Sequence, residues 1–169
     1  MSVHDSSTQS VLEQEASLML AMDEDELSQL LGLRINAIQS DIGLSLQPSI
    51  EVELSPFEAV RLPTWVQKTV DAMIKTALEQ SRNVLCSEEP DFDNIRNQLI
   101  AAMGLGGTAL VLAFAAFLTS TLGIAAALAT VLATIVIKKI GEPTIKAGHH
   151  TMCVELNKIL EAKYSTSNN

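Results

Sequence analysis

The chain has 169 residues, enough for one domain with an ordinary hydrophobic core. Apolar residues make up 47% of it and aromatic residues only 4%, so the apolarity comes from Ala, Leu, Val and Ile, a balance that favours helices over a sandwich or barrel. The net charge of −9 repels a phosphate backbone and argues against nucleic-acid binding.

The charge is unevenly spread. Residues 1–98 carry six Lys/Arg against 17 Asp/Glu, residues 138–169 carry five against three, and 97–137 carry none. The polar start MSVHDSSTQS has no basic region followed by an apolar one, so no secretory signal is visible and a cytoplasmic or cytoplasmic-side membrane-associated protein is expected. Two cysteines, Cys86 and Cys153, are too few for a disulfide framework and read as free thiols.

In chain order, 10–22 places Val11, Leu12, Leu18, Met19 and Met22 at roughly helical spacing. Asp23 followed by Glu26 predicts a capping box restarting a helix toward Leu31, with Gly32 as its C-cap. Acidic residues in that first turn gain from the helix dipole, which accounts for the run 23–26 without a basic partner. Near 44–54 the alternation of Ile50, Val52 and Leu54 with Glu51 and Glu53 admits one short β segment. Ser55, Pro56 and Glu58 mark a helix start, interrupted by Pro63, with Thr64 as the next cap. An amphipathic helix follows over 65–85, with Val66, Val70, Met73, Ile74, Ala77, Leu78 and Val84 on its apolar side. Pro90 launches a further helix, and Gly141, Glu142 and Pro143 break the chain before a last amphipathic helix carrying Ile145, His149, Met152, Leu156 and Ile159.

The uncharged stretch 99–137 is 39 residues long, enough for two crossings of a bilayer core of about 30 Å at about 1.5 Å per helical residue. Thr119, Ser120 and Thr121, followed by Gly123, lie where the turn of a hairpin belongs and carry no charge. Arg96, Lys138 and Lys139 flank the stretch and stay on one side of the membrane only if it forms a hairpin. Leu110, Leu112, Phe114, Phe117, Leu118, Gly123, Leu128, Leu132 and Ile135 are then the inserting residues. Ala109, Ala113, Ala125, Ala129 and Ala133 are the small faces on which helices pack, and a charge at Ala129 would block entry. Two features oppose insertion. Residues 97–137 include 11 Ala, four Gly and six Ser/Thr, which contribute little to it, and Gly104, Gly106 and Gly107 threaten to break the first arm.

No catalytic set stands out. GLGGT at 104–108 lacks the lysine of a phosphate loop. His149 and Cys153 offer two zinc ligands without a third or fourth, so no metal or cofactor is expected, and no oxyanion site supports a Cys–His nucleophile. The expectation is a mainly α protein, a helical bundle with a hydrophobic helical hairpin. It divides into an acidic, mostly helical region 1–89, the hairpin region 90–140 and a C-terminal helix with polar tail 141–169. The favoured function is membrane insertion and self-association, most concretely a pore-forming or permeabilising effector without enzyme activity. Its partners are then the lipid bilayer, further copies of the chain and a regulatory protein. The alternatives are a membrane-anchored adaptor with a cytoplasmic acidic domain, or a soluble helical oligomer acting through protein contacts, with 99–137 as buried core.

Overall fold

A computed structural model of the chain describes residues 3–50 and 62–164. The described residues are mainly helical: α1 (Val3–Leu20), α2 (Glu24–Ser40), α3 (Thr64–Cys86), α4 (Asp93–Leu105), α5 (Gly107–Leu122), α6 (Ala126–Ile140), α7 (Glu142–Ala147) and α8 (His149–Tyr164). Short 3₁₀ turns follow α2, at Ile42–Leu46, and precede α4, at Pro90–Phe92.

Several boundaries follow from local chemistry that the sequence displays. The Asp23 carboxylate accepts from the Glu26 backbone N–H at 2.8 Å, and the Glu26 side chain accepts from the Asp23 N–H at 3.3 Å, which is the reciprocal capping box that starts α2. Gly123 ends α5 in the left-handed conformation at φ 68°, its N–H bonded to the Thr119 carbonyl at 3.0 Å. At Gly106, φ 95° separates α4 from α5, so the glycines at 104–107 interrupt the apolar stretch as its composition warned.

Other expectations are corrected. Gly32 is not a C-cap but lies inside α2, because the apolar series Leu27, Leu30, Leu31 and Ile35 continues past it into the core. A Cβ placed there would meet the Leu62 Cδ1 at 2.4 Å and the Val66 Cγ1 at 3.4 Å, so Gly32 is where α2 comes close to the start of α3. The short β segment near 44–54 is not found among the described residues. Asp41 accepts from the Gly43 N–H at 3.1 Å and turns Ile42–Leu46 into a 3₁₀ helix, a local bond that a strand without a neighbour cannot outweigh. Residues 51–54, and the helix start at Ser55, Pro56 and Glu58, lie outside the described residues. Pro63 rather than Thr64 caps α3, its carbonyl accepting from Val66 and Gln67. The C-terminal helix is broken at Gly148, φ 116°, into α7 and α8.

α6 lies at the centre. α5 and α2 pack most extensively along it, and α1, α3, α7 and α8 also touch it. All eleven residues from 127 to 137 are buried, an all-round apolar helix that needs cover on every face. Its two hydroxyls are satisfied inside the helix, Thr130 donating to the Ala126 carbonyl at 3.3 Å and Thr134 to the Thr130 carbonyl at 2.9 Å. α3, the most regular amphipathic helix, turns Val66, Val70, Ile74, Ala77, Leu78, Val84 and Leu85 into the same core, and α8 adds Met152, Leu156 and Leu160.

The close approach at Gly32 is testable. Gly32→Leu is expected to lower stability by about 1 to 3 kcal/mol through overpacking. Gly32→Ala should be near neutral, because its helix-propensity gain offsets displacement of the flexible Leu62 tip. Urea midpoints of the two variants check the difference.

Candidate functional site

The residues singled out for membrane entry all lie on α5, on α6 or in their connection, and the fold encloses most of them. Leu110, Phe114, Phe117 and Leu118 of α5 and Leu128, Leu132 and Ile135 of α6 are buried, Leu112 is half-buried, and Gly123 is exposed. Of the small residues, Ala129 and Ala133 are fully buried, whereas Ala109, Ala113 and Ala125 are half-buried. A charge at Ala129 would therefore break the core before it could report on lipid. The α5–α6 corner is different: Thr119, Ser120, Thr121 and Gly123 are exposed.

The flanking cations are engaged. Arg96 donates to the Val84 and Glu89 carbonyls at 2.9 and 3.1 Å and to the Asp93 carboxylate at 2.6 Å, tying the start of α4 back to the end of α3. Lys139 pairs with Glu24 at 3.7 Å and joins the end of α6 to the start of α2. Burial lowers the Lys139 pKa below its ordinary value of 10.5, and Lys163 lowers it further against the opposing pull of Glu24. Lys138 lies beside a groove of about 620 Å³ where α4, α5, α6 and α7 meet. Leu20, Met103, Leu105, Leu110, Ile137 and Ile145 supply its apolar walls, Gly104, Gly106 and Gly107 part of its rim, and Lys138, Lys146 and Glu142 its charges. Leu105, 78% exposed, stands there as an unburied leucine.

Two arrangements were not anticipated. The first is a buried ion pair between Glu15 of α1 and Arg34 of α2. Arg34 also donates to the Ala127 carbonyl in the first turn of α6 at 2.6 Å, and the Ser49 hydroxyl donates to Glu15 at 2.9 Å. The group joins both wrapping helices to the central one. Its signal was present: Arg34 falls three, four and seven residues after Leu31, Leu30 and Leu27, on the buried face, and Glu15 is four residues before Met19.

The second corrects the reading of free thiols. Cys86, the last residue of α3, and Cys153 of α8 form a disulfide, and both are half-buried. Sequence separation of 67 residues hides the pairing, which arises because α8 packs along α3. His149 lies beside it, with Nε2 3.6 Å from the Cys153 Sγ and in contact with the Leu85 carbonyl. Among the described residues no group of three or more His, Cys, Asp or Glu is arranged to hold a metal ion.

Comparison with family models, with curated proteins and with solved structures finds no match to this chain. The geometry of the chain alone therefore carries its functional reading.

Removing one member of the buried pair leaves a charge without its partner, so Glu15→Ala should cost about 3 to 5 kcal/mol. Replacing both together, Glu15→Leu with Arg34→Met, should recover most of that loss in denaturant unfolding. For Lys139 the lowered folded-state pKa means that the folded protein releases the proton more readily than the unfolded chain. The cost is full below the folded pKa and fades as pH rises to 10.5, so wild-type stability relative to Lys139→Met should climb over that range.

Proposed function

We propose that this chain acts through protein contacts, as a helical binding module whose apolar stretch forms its own core. The continuous burial of 127–137 supports the reading most directly. Length supports it too: α5 and α6 have 16 and 15 residues, about 24 and 22 Å at the helical rise, against about 30 Å of hydrocarbon. No helix among the described residues is long and apolar enough to cross a membrane.

The contact surface in this proposal is the groove between α4, α5, α6 and α7, concave, mainly apolar and furnished with a few charged groups. Its occupant is an apolar segment of a partner protein that carries a carboxylate. Leucine-type side chains fit beside Leu105 and Met103, and Lys138 supplies positive charge in a chain whose net charge is −9, Lys146 being paired with Glu142 at 3.1 Å. The role assigned to the site is recognition rather than catalysis.

One observation favours membrane entry as a second reading. The exposed corner at 119–123 carries no charge, so it is the part of α5 and α6 that would cross first in a hairpin that opens and inserts. In that reading the wrapping helices move aside and the small faces of α5 and α6 meet neighbouring copies.

Anilinonaphthalene sulfonate, an apolar anion, serves as the groove probe. It should fluoresce with wild-type protein and lose most of that signal with Leu105→Glu, while far-UV dichroism stays unchanged. Equal signal from both proteins would remove the groove from the proposal. In parallel, detergent-free protein should remain unbound in flotation with anionic vesicles and release no dye. Flotation and leakage that disappear in Thr121→Lys, which puts a charge on the exposed corner that has to cross first, would establish the second reading instead.

A further inference from the structure

The Cys86–Cys153 bridge is placed differently from a disulfide that only ties a core together. Both cysteines line a surface cleft of about 520 Å³, together with Glu88, Arg96, His149 and His150. Behind it Leu85, Met152, Leu156 and Leu160 are buried in the core, so apolar packing as well as the bridge holds α8 on α3.

The two sulfurs are also unequal. The Leu85 carbonyl can only accept, so the His149 Nε2 that contacts it carries the ring proton there. The same Nε2 lies 3.6 Å from the Cys153 Sγ, so its one proton would be shared between the Leu85 carbonyl and a thiolate formed on Cys153. His149 and Cys153 belong to the first two turns of α8, at the positive end of its dipole, whereas Cys86 is the last residue of α3, at the negative end. Both influences favour negative charge on Cys153 over Cys86, the dipole weakly because Cys153 lies just past the first turn. The other charged or titratable groups of the cleft are Arg96 from α4, His150 from α8 and Glu88 from the α3–α4 connection. Arg96 donates to the Val84 and Glu89 carbonyls on either side of Cys86 and so works for that sulfur, while Glu88 opposes a thiolate.

We propose that Cys86 and Cys153 form a thiol–disulfide exchange site with a fixed polarity, Cys86 receiving the attack and Cys153 leaving, and with His149 as the positioning residue for the leaving thiolate. The co-reactant is a reducing thiol. Its thiolate attacks the Cys86 Sγ, a new S–S bond forms there, the Cys86–Cys153 bond breaks, and its electron pair remains on Cys153. A second thiolate then attacks the outer sulfur of the mixed disulfide and releases Cys86 as a thiolate. Protons given up by the two incoming thiols end on Cys86 and Cys153. The balance is two thiols oxidised to one external disulfide and one protein disulfide reduced to two thiols. The reverse sequence, with an external disulfide as oxidant, closes the bridge.

Reduced glutathione is the probe, used on the full oxidised chain at several pH values. Acid-quenched mass spectrometry locates the mixed disulfide, and dichroism follows the fold. The expected results are reduction without loss of helicity, the glutathione adduct on Cys86, and a rate roughly three- to tenfold lower in His149→Phe, which removes the Nε2–H donor. Reduction only where the chain unfolds would make the bridge purely structural and overturn the proposal. So would an adduct mainly on Cys153, a result read from the wild-type protein whatever the variant does. An unchanged rate in folded His149→Phe would remove the role given to His149.

Discussion

An uncharged helical run with no polar face must be covered on all sides, and residues 127–137 of α6 set that requirement for the rest of the fold. That run offers water nothing but two hydroxyls already bonded within the helix. Burial of such a run is the dominant favourable term available to a chain of this size, at about 25 cal/mol per Å² of apolar surface. The amphipathic helices α2, α3 and α8 supply the cover on their apolar stripes, and α5, itself mostly apolar, lies alongside. The fold is thus organised around a single element rather than around a layer.

Apolar cover alone has little directional preference, so the polar contacts within it help to fix one arrangement. Arg34 reaches the Ala127 carbonyl and the Glu15 carboxylate at once, which ties α2 to both α6 and α1 at one point. Arg96 does the same for the α3–α4 connection, and the Cys86–Cys153 bridge for the ends of α3 and α8. Groups left unpaired beside the first of these, Glu15 Oε2 and Arg34 Nε, mark it as costly to bury and sensitive to loss of a partner.

Local signals in the sequence carried several of the element boundaries. The Asp23–Glu26 capping box, the left-handed Gly123, the break at Gly106 and the helix over 65–85 depend on bonds or periodicities within a few residues. What the sequence concealed is long-range. Gly32 is a contact with Leu62 and Val66, the disulfide spans 67 residues, and Arg34 meets a carbonyl 93 residues away. The reading of 99–137 as a bilayer hairpin rested on length and absence of charge, and both properties serve equally for a helix enclosed by its own chain. The deciding quantity is the area of amphipathic surface available to cover it, which no local pattern in the stretch displays. The groove beside Leu105 was hidden for the same reason, since α1, α4, α5, α6 and α7 each contribute part of its wall.

Hydrogen exchange of the α6 amides, measured by mass spectrometry with and without anionic vesicles, tests the enclosed-core account most directly. If α6 is the permanent centre of the fold, amides over 127–137 exchange among the slowest in the chain and the helices around them show unchanged protection when vesicles are added. Loss of protection in α1 and α2 on adding vesicles, with α5 and α6 remaining protected, would mean that the cover opens and the apolar pair leaves it for lipid, which contradicts the account.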